Sequence, residues 1–272
     1  METPHIVGIV NITEDSFSDG GKFLAAGAAI AQSRKLLEDG AEIIDLGPAA
    51  SNPDSKPVDA DQEIRRLDPV ISFLRSVGAA ISVDSFLPET QRYAMSRGIA
   101  FLNDIHGFPD PAFYPELASN DCRLIVMHAV HQRGAAQRLA VPAHEIWDRI
   151  IRFFEQRVAA LVSAGVGRDR IILDPGMGYF LSTDPDASLR VLANLPRLKH
   201  MFGLPILVSV SRKSFLRLTT GRKLLDIGAA TLAAELCAAM AGANYIRTHD
   251  AGALKDALRI FRAVARERDP GP

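Results

Sequence analysis

The chain has 272 residues, 47% of them hydrophobic and 23% charged, a balance that excludes intrinsic disorder as its main state. Lys+Arg 31 against Asp+Glu 32 leaves a formal charge of −1, so no basic field exists to hold nucleic acid or an anionic membrane. An anionic ligand must therefore be caught by a few local cations.

Eight short apolar, often β-branched runs follow one another: HIVGIV, EIIDL, AAISVD, IAFLND, RLIVMH, RIILDP, PILVSV and NYIRTH. They begin near residues 5, 42, 79, 99, 123, 170, 205 and 244. Most are continuous apolar runs, which predicts parallel strands covered on both faces. Helical patterns lie between them. The stretches 25–39, 61–77 and 89–97 end at Gly40, Gly78 and Gly98, where glycine serves as a C-cap. The segment 142–164 opens with Pro142 and sets Ile146, Ile150, Phe153, Phe154, Val158 and Leu161 along one stripe; 227–241 and 252–268 continue the rhythm.

Eight units of about 34 residues predict one domain over 1–272, an α/β fold with an eight-stranded parallel (β/α)8 TIM barrel. The competing open doubly wound sheet announces itself with a glycine fingerprint after its first strand, and here NITEDSFSDGG follows instead. Cys122 and Cys237 are too few for a disulfide framework and fit a reducing cytoplasm. METPHIVGIVNITED lacks the positive charge and long apolar run of a signal peptide. The apolar stretch 228–241 is interrupted by Glu235 and reads as a buried helix. The expectation is a cytoplasmic protein.

Barrel chemistry gathers at the C-terminal strand ends. Those positions carry Asn11, Asp45, Asp84, Asn103 with Asp104, Met127 with His128, Asp174, Lys213, and Arg247 with His249. Helix capping could account for Asp84 and Asp45 taken singly. It does not account for the set. Ser211-Arg212-Lys213-Ser214 and Arg247-Thr248-His249 follow the last two strands, where barrels often bind phosphate. Asn11 could offer its carbonyl oxygen to a Mg²⁺ that already carries phosphate. Asp84, Asn103 and Asp174 would accept paired N–H bonds from a 2-amino-4-oxo pyrimidine edge, as a carboxylate does from arginine. His128 and His131 lack supporting ligands and read as solvated loop residues. The loop 11–21 surrounds Phe17 with polar residues and suggests a lid; 47–57 is either a second functional loop or a plain connector.

Six motifs in register, GIVNITEDSFSDGG at 8–21, SVDS at 82–85, LNDI at 102–105, LDPGMG at 173–178, SVSRKSF at 209–215 and IRTHD at 246–250, resemble dihydropteroate synthase along the whole chain. The resemblance implies an enzyme, usually dimeric, that joins (7,8-dihydropterin-6-yl)methyl diphosphate to 4-aminobenzoate and releases pyrophosphate. It implies Asp84, Asn103, Asp174, Lys213, Arg247 and Met127 at the pterin. Asn11, Ser51, Arg247 and His249 would hold the diphosphate with Mg²⁺, and Asn11 would ligate the metal. Phe17, Ser214 and Phe108 would face the aminobenzoate. Asp19, Asp84 and Lys213 would be catalytic, the acids favouring a developing cation on the pterin methylene.

Pro48-Ala49-Ala50-Ser51-Asn52-Pro53 stands where the family commonly has Gly-Glu-Ser-Thr-Arg-Pro, and Tyr179-Phe180 replaces Phe-Gly. GPAASNPD, HGFPDPAFYP and PETQRYA look like the Sul-type, sulfonamide-insensitive branch. That likeness implies reduced drug sensitivity, with Phe108 either obstructing the drug or packing as an ordinary loop residue. The expected partners are the two small substrates and a second copy of the chain, with no nucleic acid and no membrane. The weighed alternatives are a pterin-dependent methyltransferase and a non-catalytic pterin-binding protein.

Overall fold

The computed structural model describes residues 3–12, 21–131 and 134–268. Its eight strands are β1 (His5–Asn11), β2 (Ile43–Gly47), β3 (Ala80–Asp84), β4 (Phe101–Asp104), β5 (Arg123–Met127), β6 (Ile171–Asp174), β7 (Leu207–Val208) and β8 (Tyr245–Thr248). All pair in parallel, in the order β6-β5-β4-β3-β2-β1-β8-β7. A parallel bridge from Leu173 to Ile206, with Leu173 N–H donating to the Pro205 carbonyl at 2.9 Å, joins the two ends into a barrel. The expected (β/α)8 architecture is observed.

The helices are α1 (Gly21–Glu38), α2 (Ala60–Ser76), α3 (Pro88–Ser96), α4 (Tyr114–Ala118), α5 (Ala143–Ser163), α6 (Pro185–Ala193), α7 (Leu195–Phe202), α8 (Ser214–Thr220), α9 (Gly228–Met240) and α10 (Ala251–Arg268). Gly40, Gly78 and Gly98 follow three of them with φ of +103°, +70° and +69°, the left-handed turn expected of glycine past a helix end. Helices α4, α6, α7 and α8 span only five to nine residues each, and α6 and α7 follow one another with Asn194 alone between them. The stripe on α5 is buried at Ile146, Ile150, Phe154, Val158 and Leu161 against the strands.

The two-residue period of a strand decides what the barrel contains. Val7, Ile43, Phe101, Ile125, Ile172, Leu207 and Tyr245, one from each of seven strands, form an apolar floor inside the barrel, with Ala80 of β3 packed on it. Two residues further along each strand the same inward face carries Ile9, Asp45, Ser82, Asn103, Met127, Asp174, Ser209 and Arg247. The next inward positions include Asn11, Asp84, Ser211 and His249. The polar residues thus form a layer above a greasy plug, and parallel register sets neighbours across it: Asn11 lies opposite Gly47, Asp84 opposite Asn103, and Met127 opposite Asp174.

Candidate active site

Among the described residues, three spaces at the barrel mouth share lining side chains. The deepest is lined by Asp84, Asn103, Met127, Asp174, Lys213 and Arg247, together with Met177, Phe180 and Ser209. A cavity of about 390 Å³ has Asn11, Ser211, Arg212, Arg247 and His249 in its wall. Another, of about 440 Å³, has Asn52, Pro53, Arg138, Tyr179, Phe180 and Ser214. Ser51 and Lys213 line all three.

Arg247 is the electrostatic centre. Its Nε donates to Asp45 Oδ2 at 2.5 Å and a terminal nitrogen donates to Asp84 Oδ2 at 2.9 Å. Neither acid caps a helix. Asp45 lies inside β2, and α2 is capped by Asp59, whose carboxylate accepts from Gln62 N–H; α3 has no side-chain cap. Asp45 belongs to the site, although capping seemed to account for it. Its signal was an acid inside an apolar strand and remote from the next helix.

Burial pushes the Asp84 carboxyl up to about 7 against the pull of Arg247, with the Asp45 charge adding to the rise. Burial likewise raises Asp174 to about 6, although its carboxylate accepts Gly176 N–H at 2.8 Å. Lys213 is pushed down to about 8 by burial and by the Arg247 charge. Buried carboxyls held above the usual acid range favour a ligand that donates N–H bonds to them. Asn103 Oδ1 and Ser209 Oγ are buried with no hydrogen-bond partner among the described residues. Asp104, next to Asn103, faces the other way: it accepts from His106 N–H at 2.7 Å and Gln91 Nε2 at 2.9 Å, and it holds the loop.

At the cationic side, Ser211 Oγ lies 2.9 Å from His249 Nδ1 and accepts the His249 backbone N–H at 3.2 Å. Burial, with the Arg212, Arg247 and Lys213 charges, pushes His249 down to about 3. A neutral ring that accepts the hydroxyl proton at Nδ1 presents Nε2–H as a donor. Lys213 immediately precedes α8, and Arg212 takes a left-handed φ of +59° that turns the chain into it.

The segment 47–57 is tied down. Ser51 carbonyl accepts from Ala136 N–H at 3.0 Å, Pro48 carbonyl accepts from Arg66 at 2.8 Å, and Arg138 grips the Asp54 carboxylate with two bonds, at 2.9 and 2.5 Å. It is a wall of the site. Gly176, with φ +76°, lets the turn after β6 run against the His128 carbonyl, leaving no room for a Cβ.

Two expectations are corrected. His128 and His131 are buried, at 3% and 5% exposure, and packed on Phe153 and Phe180 rather than solvated. Burial pushes both down to about 4, so they are neutral rings filling an apolar space. Phe108, at 2% exposure, belongs to the main core and lines none of the three spaces. Gly107 and Phe108 take left-handed φ of +64° and +62°, at the turn that follows β4. Asn11, Ser51, Asp84, Asn103, Met127, Asp174, Lys213, Ser214, Arg247 and His249 are brought together as expected. Phe17 and Asp19 lie outside the described residues. Ser209, Met177 and Phe180 also line the cleft, although none of them carries a charge that would mark it in the sequence.

Comparison with known proteins adds three findings. The pterin binding enzyme family matches residues 7–249. Dihydropteroate synthase type-2 of Escherichia coli is 58% identical over 259 residues, covering 95% of each chain, and the type-1 protein of the same organism is 50% identical over 97% of this chain and 95% of its own. A solved dihydropteroate synthase of Xanthomonas albilineans with 4-aminobenzoic acid superposes with a TM-score of 0.87 at 34% identity, covering 97% of this chain and 94% of that one.

Proposed function

The chain belongs to the dihydropteroate synthase family of pterin-binding enzymes, and from this we propose how its site joins (7,8-dihydropterin-6-yl)methyl diphosphate to 4-aminobenzoate. One observation carries the reading: Asn103 Oδ1 and Ser209 Oγ, buried acceptors without partners among the described residues, share a cleft with Asp84 and Asp174 beside the cations Lys213 and Arg247. A pterin's amino and ring N–H edge would satisfy Asp174, Asn103 and Asp84, each charge-assisted bond contributing about 1.5–3 kcal/mol. Met127 would pack on the ring, and Lys213 and Arg247 would border it.

The diphosphate would extend into the cavity bounded by Asn11, Ser51, Arg247 and His249, with the His249 Nε2–H and the Arg247 guanidinium as donors. Asn11 Oδ1 sits beside Gly47, a hard oxygen at the rim. Among the described residues no group of three or more His, Cys, Asp or Glu could hold a metal. Asn11 is the residue that would hold a Mg²⁺ brought in with the substrate phosphate, as a hard cation takes oxygen ligands. Such an ion supplies charge stabilisation for the leaving diphosphate.

The 4-aminobenzoate would enter by the cavity of Ser214, Pro53, Tyr179 and Phe180. Its amine lone pair forms the new C–N bond at the pterin methylene. The C–O electron pair departs with the diphosphate, and the arylammonium proton passes to water. The acids favour the cationic methylene while the cations stabilise the departing charge, which is how the site is divided. Phe17 and Asp19 would complete the aminobenzoate side.

We also read the protein as a cytoplasmic enzyme of folate biosynthesis with reduced sulfonamide sensitivity. The support for the last point is the likeness of 47–54 and 106–115 to the Sul-type branch. The bulk at this cavity comes from Tyr179 and Phe180, since Phe108 is in the core. Homodimer formation is part of the proposal. Helices α9 and α10 leave Met240, Ile260 and Val264 at 60%, 68% and 49% exposure, apolar side chains that a second copy would cover. Pyrophosphate release from pterin diphosphate, Mg²⁺ and 4-aminobenzoate, with formation of dihydropteroate, tests the reaction. Tight pterin binding without release would leave a pterin-binding protein.

A further inference from the structure

Phe180 ends a short 3-10 turn, Gly178–Phe180, after β6, and its ring borders both the deep cleft and the aminobenzoate-side cavity. The Lys213 Nζ stands over this ring, 4.7 Å from its centroid. The ring is in turn stacked on His131, with centroids 5.7 Å apart and planes 23° from parallel. His131 meets His106 edge to face at 5.5 Å, and His106 Nε2 donates to the Gly134 carbonyl at 3.0 Å. The backbone is tied at the same place: Val130 N–H donates to the Phe180 carbonyl at 2.9 Å. The loop after β5 therefore holds both the ring and the main chain of Phe180.

We propose that His131 is a positioning residue: it fixes the plane of the Phe180 ring so that the ring face, not its edge, meets the Lys213 ammonium at the junction of the site's cavities. An aromatic face carries partial negative charge and its edge partial positive charge, so a ring that turned would repel the cation it now attracts. With one face covered by His131, that turn is blocked. Burial keeps His131 and His106 neutral, so the stack places no positive charge behind the ring. The remaining charges facing Lys213 are those of Asp174, Asp84 and Arg247, which the stack leaves in place. The inference rests on the reading of Lys213 as a substrate-facing cation, but its physical core can be tested without substrate.

The Lys213 ammonium is titrated by ¹³C NMR of its ε-carbon in the full ligand-free chain, with Lys213→Arg to assign the signal. Phe180→Leu and His131→Ala are each expected to lower the midpoint by about half to one pH unit, because the charged form loses its aromatic face. His131→Phe is expected to restore it. In the pyrophosphate assay kcat/KM should fall about three- to tenfold in His131→Ala and recover in His131→Phe. An unchanged midpoint in folded His131→Ala overturns the proposal, as does a His131→Phe protein that behaves like the alanine variant. If His131→Ala does not fold, an unchanged midpoint in Phe180→Leu overturns it equally. Absence of pyrophosphate release in the wild-type protein would overturn the functional reading and leave the NMR result to decide the positioning role.

Discussion

Replacing Asp174 by asparagine changes one atom and should nearly silence the site. Asp174 is 2% exposed, and one of its oxygens already accepts Gly176 N–H at 2.8 Å. The other is left for a ligand. An asparagine that keeps the Gly176 bond must point its NH₂ at the pterin N–H edge, donor against donor. Flipped, it sets the NH₂ against Gly176 N–H and breaks the turn. Neither orientation is satisfied. The lost charge-assisted bond is worth about 1.5–3 kcal/mol and the unpaired buried donor costs about 1–3 kcal/mol more. Together they lower kcat/KM for pterin diphosphate by roughly two to four orders of magnitude. Pyrophosphate release under limiting pterin diphosphate measures this, with circular dichroism to show that the variant is folded. A folded Asp174→Asn enzyme within about threefold of wild type would refute the assignment of Asp174 to the pterin edge.

Other outcomes follow from the same geometry. The kcat/KM profile against pH should be bell-shaped: burial holds Asp174 near 6 and Asp84 near 7, so acceptors are lost below that range, and Lys213 near 8 loses its charge above it. Lys213→Arg, charged throughout, should remove the alkaline limb, and an alkaline limb that persists unchanged contradicts its assignment. His128 titrates near 4 in the fold against an ordinary 6.5, so the folded state binds fewer protons and the stability from the neutral ring drains as pH falls from about 6.5 toward 4. The full effect is on the order of 3 kcal/mol. The raised acids act in the opposite direction, so the measurement is a difference: His128→Phe should lose less stability than wild type between pH 7 and 4.5 in denaturant titrations. Phe108→Ala, which empties a core position, should cost about 3–5 kcal/mol of stability and leave sulfonamide inhibition unchanged relative to 4-aminobenzoate. A shifted inhibition constant would return Phe108 to the pocket.

Much of the site was readable as strand-end chemistry. Asp84, Asn103, Asp174 and Arg247 are polar residues where buried parallel strands should be apolar, and Lys213 follows in the loop between β7 and α8; such a breach of local pattern marks function. Asp45 escaped because an acid near a strand end is ordinarily explained by capping, and its partner Arg247 is 202 residues away. His131 and Phe180 escaped for a related reason: a histidine in the loop after β5 and a phenylalanine after a glycine turn give no periodic signal.

What the sequence determined by itself is the repeat of eight apolar runs, the glycines that end helices, and hence the barrel. These are local matters of side-chain period and backbone freedom. The tertiary structure alone decided facing. Whether Asn103 or its neighbour Asp104 enters the barrel and which acids share Arg247 depend on register between strands far apart in the chain, and whether Phe108 lines a pocket or fills the core depends on how the loop after β4 packs. A shift of one residue in that register would exchange inside for outside, and no stretch of sequence carries the register of its neighbours.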